Sequence, residues 1–209
     1  MSLDLPTSAR FAGAVLCGGA SRRMGRDKAG LKLDGVTLLQ RAVDRLRAAG
    51  AAPVLVVSRL GELSAPGAAT VADSALDCGP LGGLVAALRS APWELCAVVA
   101  VDMPDLSAPL LRLLVDRWSG EDAVVPTGPR GPEPLHAVYA ASALPAAEAA
   151  LESRDHSLRG LLAALRVGNV DVAAELGPSL AASFALNLNR PPDVAAWRRR
   201  RAASGPPPR

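Results

Sequence analysis

The chain has 209 residues, half of them hydrophobic, 21% charged and 3% aromatic, with a formal net charge of +3. That balance excludes intrinsic disorder, which needs low apolar content and high net charge, and the length suits one domain burying roughly 70% of its unfolded surface. The cleanest apolar run, Leu95 to Val101, has seven residues, far short of the ~20 of a membrane span.

The expectation is a soluble cytoplasmic protein with one domain over residues 1–203 and a disordered tail over 204–209 (SGPPPR). Phe11 to Cys17 has the look of a lipoprotein segment, but it is too short and carries bulky Leu16 where a small residue should precede the cysteine. Cys17, Cys78 and Cys96 show no CxxC spacing and the chain has two histidines, so no Cys/His zinc site is expected, and reduced thiols are. The basic run Arg198 to Arg201 reads as a solvated helix end. A nucleic-acid-binding role for it is the rival reading, opposed by the lack of interleaved aromatics.

Along the chain, Phe11 to Cys17 predicts a buried strand, followed by a Gly/Arg-rich loop over Gly18 to Lys28. Thr37 to Ala49 predicts a helix with Leu38, Leu39, Ala42, Val43 and Leu46 on one face, closed by Gly50. Strands are expected at Pro53–Ser58, Thr70–Ala72, Leu95–Val101 and Ala123–Pro126, with helices at Gly79–Ser90 and Pro109–Trp118. Leu135–Ala140 reads as extended, Ala146–Glu152 and Leu158–Leu165 as helices, and Val167–Val172 as a last strand. Apolar strands alternating with amphipathic helices predict a parallel sheet covered on both faces. Ligands of such sheets gather beyond the strands' carboxyl ends, where the strand order switches.

The loop after the first strand reads Leu16-Cys17-Gly18-Gly19-Ala20-Ser21-Arg22-Arg23-Met24-Gly25-Arg26-Asp27-Lys28. Glycines let backbone N–H groups turn toward an anion, and four cations lie within seven residues. The pattern is that of a polyphosphate cradle, though neither a Walker A loop nor a GxGxxG fingerprint. Lysine is rare here, Lys28 and Lys32 being the only two, which hints that a compact ammonium is wanted at Lys28.

This segment resembles the signature of the molybdenum cofactor guanylyltransferase family, LAGGxSxRMGxDK, with Cys17 for alanine. Four further stretches resemble that family's motifs in order: Gly79-Pro80-Leu81-x-Gly83, Val101-Asp102-Met103-Pro104, Glu133-Pro134-Leu135-His136-Ala137-Val138-Tyr139 and Asn187-Leu188-Asn189-Arg190-Pro191-Pro192-Asp193. Departures stand at Cys17, Val101 and His136, and at Ser58, where the family often has asparagine.

The resemblance implies a three-layer Rossmann-like nucleotidyltransferase fold with a mostly parallel mixed central sheet. It implies transfer of GMP from GTP to the phosphate of molybdopterin or molybdenum cofactor with magnesium, releasing pyrophosphate. By the same resemblance Leu16, Cys17, Gly18 and Gly19 belong to the nucleotide loop, and Arg23 and Lys28 grip phosphates. Lys28 would stabilise the α-phosphorus and Asp102 would hold Mg2+. Asp73 contacts the nucleotide, joined by Gly79, Pro80, Leu81 and Ser58; Asn187, Asn189, His136 and Tyr139 fall to the acceptor pocket. Asp105 and Arg159 are weaker candidates, at the metal and the acceptor phosphate. Transient contact with proteins that deliver molybdopterin or take the product is also implied.

A CTP-dependent cytidylyltransferase, a same-fold enzyme with another phosphorylated acceptor, and a non-catalytic nucleotide-binding module are the alternatives. Cys17 beside the loop also raises redox sensitivity.

Overall fold

The computed structural model describes residues 10–18, 28–73, 75, 78–153 and 155–204. Two strands form its centre, β1 (Phe11–Leu16) and β6 (Leu95–Ala100), each buried at all six positions. Between them in sequence come the short β2 (Lys32–Leu33) and β3 (Val36–Thr37), α1 (Leu38–Ala48), β4 (Val54–Arg59), β5 (Ala69–Asp73) and α2 (Pro80–Ser90). After β6 follow α3 (Ala108–Asp116), β7 (Ala123–Gly128), β8 (Gly131–Pro132), β9 (His136–Ala140), α4 (Leu144–Glu152) and α5 (Leu158–Ala164). The chain continues through β10 (Val167–Asp171), α6 (Val172–Leu176), α7 (Pro178–Ala181) and α8 (Pro191–Ser204).

The main sheet has eight strands in the order β10-β7-β9-β6-β1-β4-β5, with β8 paired to β7. β1 lies parallel to both β4 and β6, with Leu16 opposite Val57 on one side and Ala100 on the other. The expected parallel sheet is thus mixed: β9 runs antiparallel to β6 and β7, and β8 antiparallel to β7. The reason is local, because β7 turns back through β8 within a few residues and so delivers β9 in the opposite direction.

Side chains alternate between two cores, as the strand pleat requires. Val15, Val56 and Val99 face α1, α3 and α8, while Leu16, Leu55 and Val98 face α2, α4 and α5. At Gly13 an added Cβ would stand 3.0 Å from Ala51 Cβ and 3.1 Å from Leu46 Cβ, so the missing side chain lets α1 lie close on β1. α1 buries the predicted face, Leu38, Leu39, Ala42, Val43 and Leu46, and Thr37 caps it by accepting the Gln40 N–H at 3.1 Å.

The β2–β3 hairpin was not expected, although its two-residue turn, Asp34-Gly35 with φ of 51° and 82°, is what Asp-Gly favours. At the other end, α8 continues through Ser204, so helix replaces the expected disorder there; 205–209 lie outside the described residues. Among the described residues no helix is long and apolar enough to cross a membrane.

β1, β4, β5 and β6 point the same way, and the chain moves outward from β1 to β5 before returning to β6 on the other side. The switch in order therefore falls between β1 and β6, and the loops beyond Leu16 and Ala100 open there. Leu114, fully buried in α3, gauges the core: Leu114→Ala should lower unfolding stability by about 2–5 kcal/mol in urea denaturation without changing the far-UV circular dichroism of the native protein.

Candidate active site

At this switch three distant segments meet on one ammonium group. Lys28 Nζ donates to Asp102 Oδ2 at 2.9 Å and to Asn189 Oδ1 at 2.8 Å. The Lys28 and Asp102 side chains are each 19% exposed, reachable by a ligand yet poorly enough hydrated to favour strong polar contacts. Asp102 lies two residues beyond β6, and its carbonyl accepts the Leu188 N–H at 2.9 Å, which docks the segment leading into α8 onto the strand end. Asp193 closes the arrangement by accepting the Asn189 and Arg190 N–H groups at 2.9 and 2.7 Å, as a residue in the first turn of α8 reaching back over the helix start. The Asn-x-Asn-x-Pro-Pro-Asp stretch thus builds its own support.

A second carboxylate, Asp73, ends β5. Its Oδ1 accepts the Ala75 N–H at 3.0 Å, and burial raises its pKa above the ordinary value, partly offset by that bond. A Cβ at Gly82 would stand 2.9 Å from Asp73 Oδ1, and one at Gly83 3.4 Å from Leu16 Cδ2. The two glycines therefore bring the first turn of α2 against the ends of β5 and β1. Gly79, at φ +60°, leads into that helix with open space around it, and Pro80 fits its first turn. Leu81 is fully buried and anchors the turn without facing a ligand. Asp73 also lines a small cavity of about 150 Å³ beneath α2.

At the start of the Gly/Arg loop, Leu16 is buried and its carbonyl accepts the Val101 N–H at 3.2 Å, while the Cys17 N–H goes to the Val57 carbonyl at 2.8 Å. Both backbones extend the sheet, and the loop departs at exposed Gly18. Gly19 and Arg23, with Arg22 and Arg26, lie outside the described residues.

Several sequence-predicted positions turn out to be scaffold. Ser58 is 2% exposed and its hydroxyl accepts the Leu63 N–H at 3.1 Å, tying down the turn after β4. His136 and Tyr139 are fully buried in β9, so neither faces an acceptor. Burial of β9 on both faces, between β6 and β7, overrides the expectation there. His136 Nδ1 lies 3.3 Å from the Phe184 carbonyl, with the two rings edge to face at 5.7 Å. Burial lowers its pKa from 6.5 to about 4, against the pull of the Phe184 and Ser107 backbones. The Tyr139 hydroxyl donates to the Pro134 carbonyl at 2.9 Å, and burial pushes its pKa up. Asp105 accepts the Trp197 Nε1–H at 2.8 Å and faces Arg200, so it holds α8 in place. Arg159 is exposed on α5. Asn187 Oδ1 is buried with no hydrogen-bond partner among the described residues.

Glu133 was missed. It opens the quoted motif, yet the sequence drew attention to His136 and Tyr139 further on. The structure buries those two and leaves Glu133 half-exposed near Asp102. Burial raises its pKa; the Leu135 N–H and Arg130 pull it back, and the Asp102 charge adds to the rise.

The family described as MobA-like NTP transferase domain matches residues 13–170. A probable molybdenum cofactor guanylyltransferase of Opitutus terrae is 41% identical over 199 residues, covering 92% of this chain and 96% of that protein. One from Chloroflexus aggregans is 32% identical over 198 residues, covering 91% and 94%. Among solved structures, molybdopterin-guanine dinucleotide biosynthesis protein A from Archaeoglobus fulgidus superposes with a TM-score of 0.76 at 28% identity, covering 93% of this chain and all of that one.

Buried His136 sets a measurable pH dependence. The unfolded chain takes up this proton near pH 6.5 and the folded one only near pH 4, so stability falls as pH drops through that window. The loss should total about 3 kcal/mol, and denaturation at pH 7, 5.5 and 4 should show a flatter fall in His136→Leu than in the parent.

Proposed function

Because the chain belongs to the MobA-like NTP transferase family, we propose that it is a guanylyltransferase that moves GMP from GTP to the phosphate of molybdopterin or its molybdenum form. The products are the guanine dinucleotide cofactor and pyrophosphate. The observation that carries this reading is the meeting of Lys28, Asp102 and Asn189 at the sheet's switch point.

An oxygen of the acceptor phosphate attacks the α-phosphorus of GTP, the bond to the β-phosphate breaks, and its electron pair leaves with pyrophosphate. The acceptor is already anionic, so no proton must be removed and no general base is required. Buried His136 fits that economy. The barrier lies in bringing two phosphates together, which positioned cations overcome. Lys28 exchanges its carboxylate partner for phosphoryl oxygens at the α-phosphorus, and Asn189 steadies it from the acceptor side.

Asp102 is an accessible carboxylate, and among the described residues no group of three or more His, Cys, Asp or Glu is arranged to hold a metal. One carboxylate supplemented by substrate phosphates suits Mg2+, which binds hard oxygen and keeps several waters. Asp102 would hold such an ion, whose positive charge would offset that of the triphosphate and of pyrophosphate. Asp73 receives the N–H edge of guanine or a ribose hydroxyl, and the N-terminal end of α2 adds its partial positive charge nearby.

Calorimetry with GTP and CTP side by side in magnesium tests the assignment. GTP should bind more tightly, and Lys28→Ala or Asp102→Ala should lower kcat/KM by about 10²-fold or more; a preference for CTP would move the enzyme to the cytidylyl reaction. Asp73→Asn should weaken GTP binding by roughly tenfold, read in the same titrations, through loss of a charge-assisted hydrogen bond.

A further inference from the structure

The turn before β9 is clamped on three sides. The Glu133 N–H donates to the Pro126 carbonyl at 2.9 Å, the Leu135 carbonyl accepts the Ala100 N–H at 2.9 Å, and Tyr139 holds the Pro134 carbonyl. Glu133 is thereby fixed beside the exit of β6, close enough to Asp102 to feel its charge. On its other side opens a cavity of about 290 Å³ between the β7–β8 hairpin and the segment after α7. Arg130, Pro132 and Glu133 line one wall, and Ala181, Phe184 and Leu186 the other. Gly128 keeps the hairpin close, since a Cβ there would stand 2.6 Å from Phe184 Cε1, and Arg130 donates to the Ala185 carbonyl across the gap.

The second wall runs on from Leu186 directly into Asn187 and Asn189. Asn189, which holds Lys28, thus follows the cavity wall by three residues, so a molecule whose phosphate lies at Lys28 can extend its remaining body toward this cavity. The size is at the small end of ligand pockets, and the walls offer apolar surface, the Arg130 side chain and a single half-buried carboxylate. A flat heterocycle with two adjacent N–H donors matches that chemistry, since one carboxylate accepts both in parallel.

We propose that Glu133 selects the acceptor by reading the 2-amino-4-oxopyrimidine edge of its pterin ring from the mouth of this cavity. The inference rests on the guanylyl transfer proposed above, which makes the acceptor a pterin. Guanine carries the same kind of edge. Asp73, at the end of β5 three strands from β6, and Glu133, beside β9 next to β6, give the two alike rings separate carboxylates on opposite sides of the reacting phosphates.

The test is fluorescence titration of the full chain with 6-hydroxymethylpterin and with its lumazine counterpart, in which oxygen replaces the 2-amino group. Pterin should quench saturably and bind at least about tenfold more tightly than lumazine. Glu133→Gln should abolish that ratio and weaken pterin by a similar factor while GTP binding stays within about twofold; Glu133→Asp should fall between. Equal binding of pterin and lumazine, pterin binding unchanged in Glu133→Gln, or no saturable quenching overturns the assignment and leaves the guanylyl reading standing on its GTP binding. Failure of the wild-type protein to bind GTP would instead overturn the guanylyl reading, and with it this assignment.

Discussion

A partly desolvated ammonium group must be met by oxygen on several sides, and here the oxygens come from residues 74 and 161 positions further along the chain. The Lys28 contact with Asp102 and Asn189 is therefore both a piece of chemistry and a constraint on the fold. It requires that the loop after β1, the exit of β6 and the entry to α8 arrive together. The two fully buried central strands fix the first two in register, and the Leu188–Asp102 backbone bond fixes the third. In the proposed reaction, phosphates entering this place would meet a cation whose position is already set, leaving little reorganisation for the moment of reaction.

Around that contact the polar groups divide by burial. His136, Tyr139 and Ser58 are withdrawn from solvent and hold backbone turns; burial keeps His136 uncharged at neutral pH and Tyr139 protonated. Asp73 and Glu133 are only half-buried; burial raises their pKa, and each rise is offset in part by one backbone N–H, from Ala75 and from Leu135. The fully buried groups support the rim, and the half-buried carboxylates are the ones to which the proposed reaction gives ligands with N–H edges.

The stretch Glu133 to Tyr139 shows how one motif serves both ends. Its second half is strand β9, packed between β6 and β7 and buried at every position. Its first half is the turn that this strand anchors. Tyr139 acts on the site at a distance of five residues, through the Pro134 carbonyl. The antiparallel run of β9 is what makes this possible, since it places the start of that strand, not its end, beside the exit of β6.

Much of this was legible in the chain. The alternation of apolar strands with amphipathic helices implied the layered fold, because each element must bury one face, and the spacing in α1 named its buried residues. The Gly/Arg loop, the aspartate after the strongest strand and the scarce lysine pointed to phosphate chemistry, and the ordered motifs to the family. What the chain could not disclose depends on which distant segments become neighbours. The antiparallel β9, the burial of His136 and Tyr139, the docking of Asn189 on Lys28 and the exposure of Glu133 all follow from strand order and register. Local preference specifies period and turn, whereas the partner that desolvates or completes a side chain is set only when the sheet closes around it.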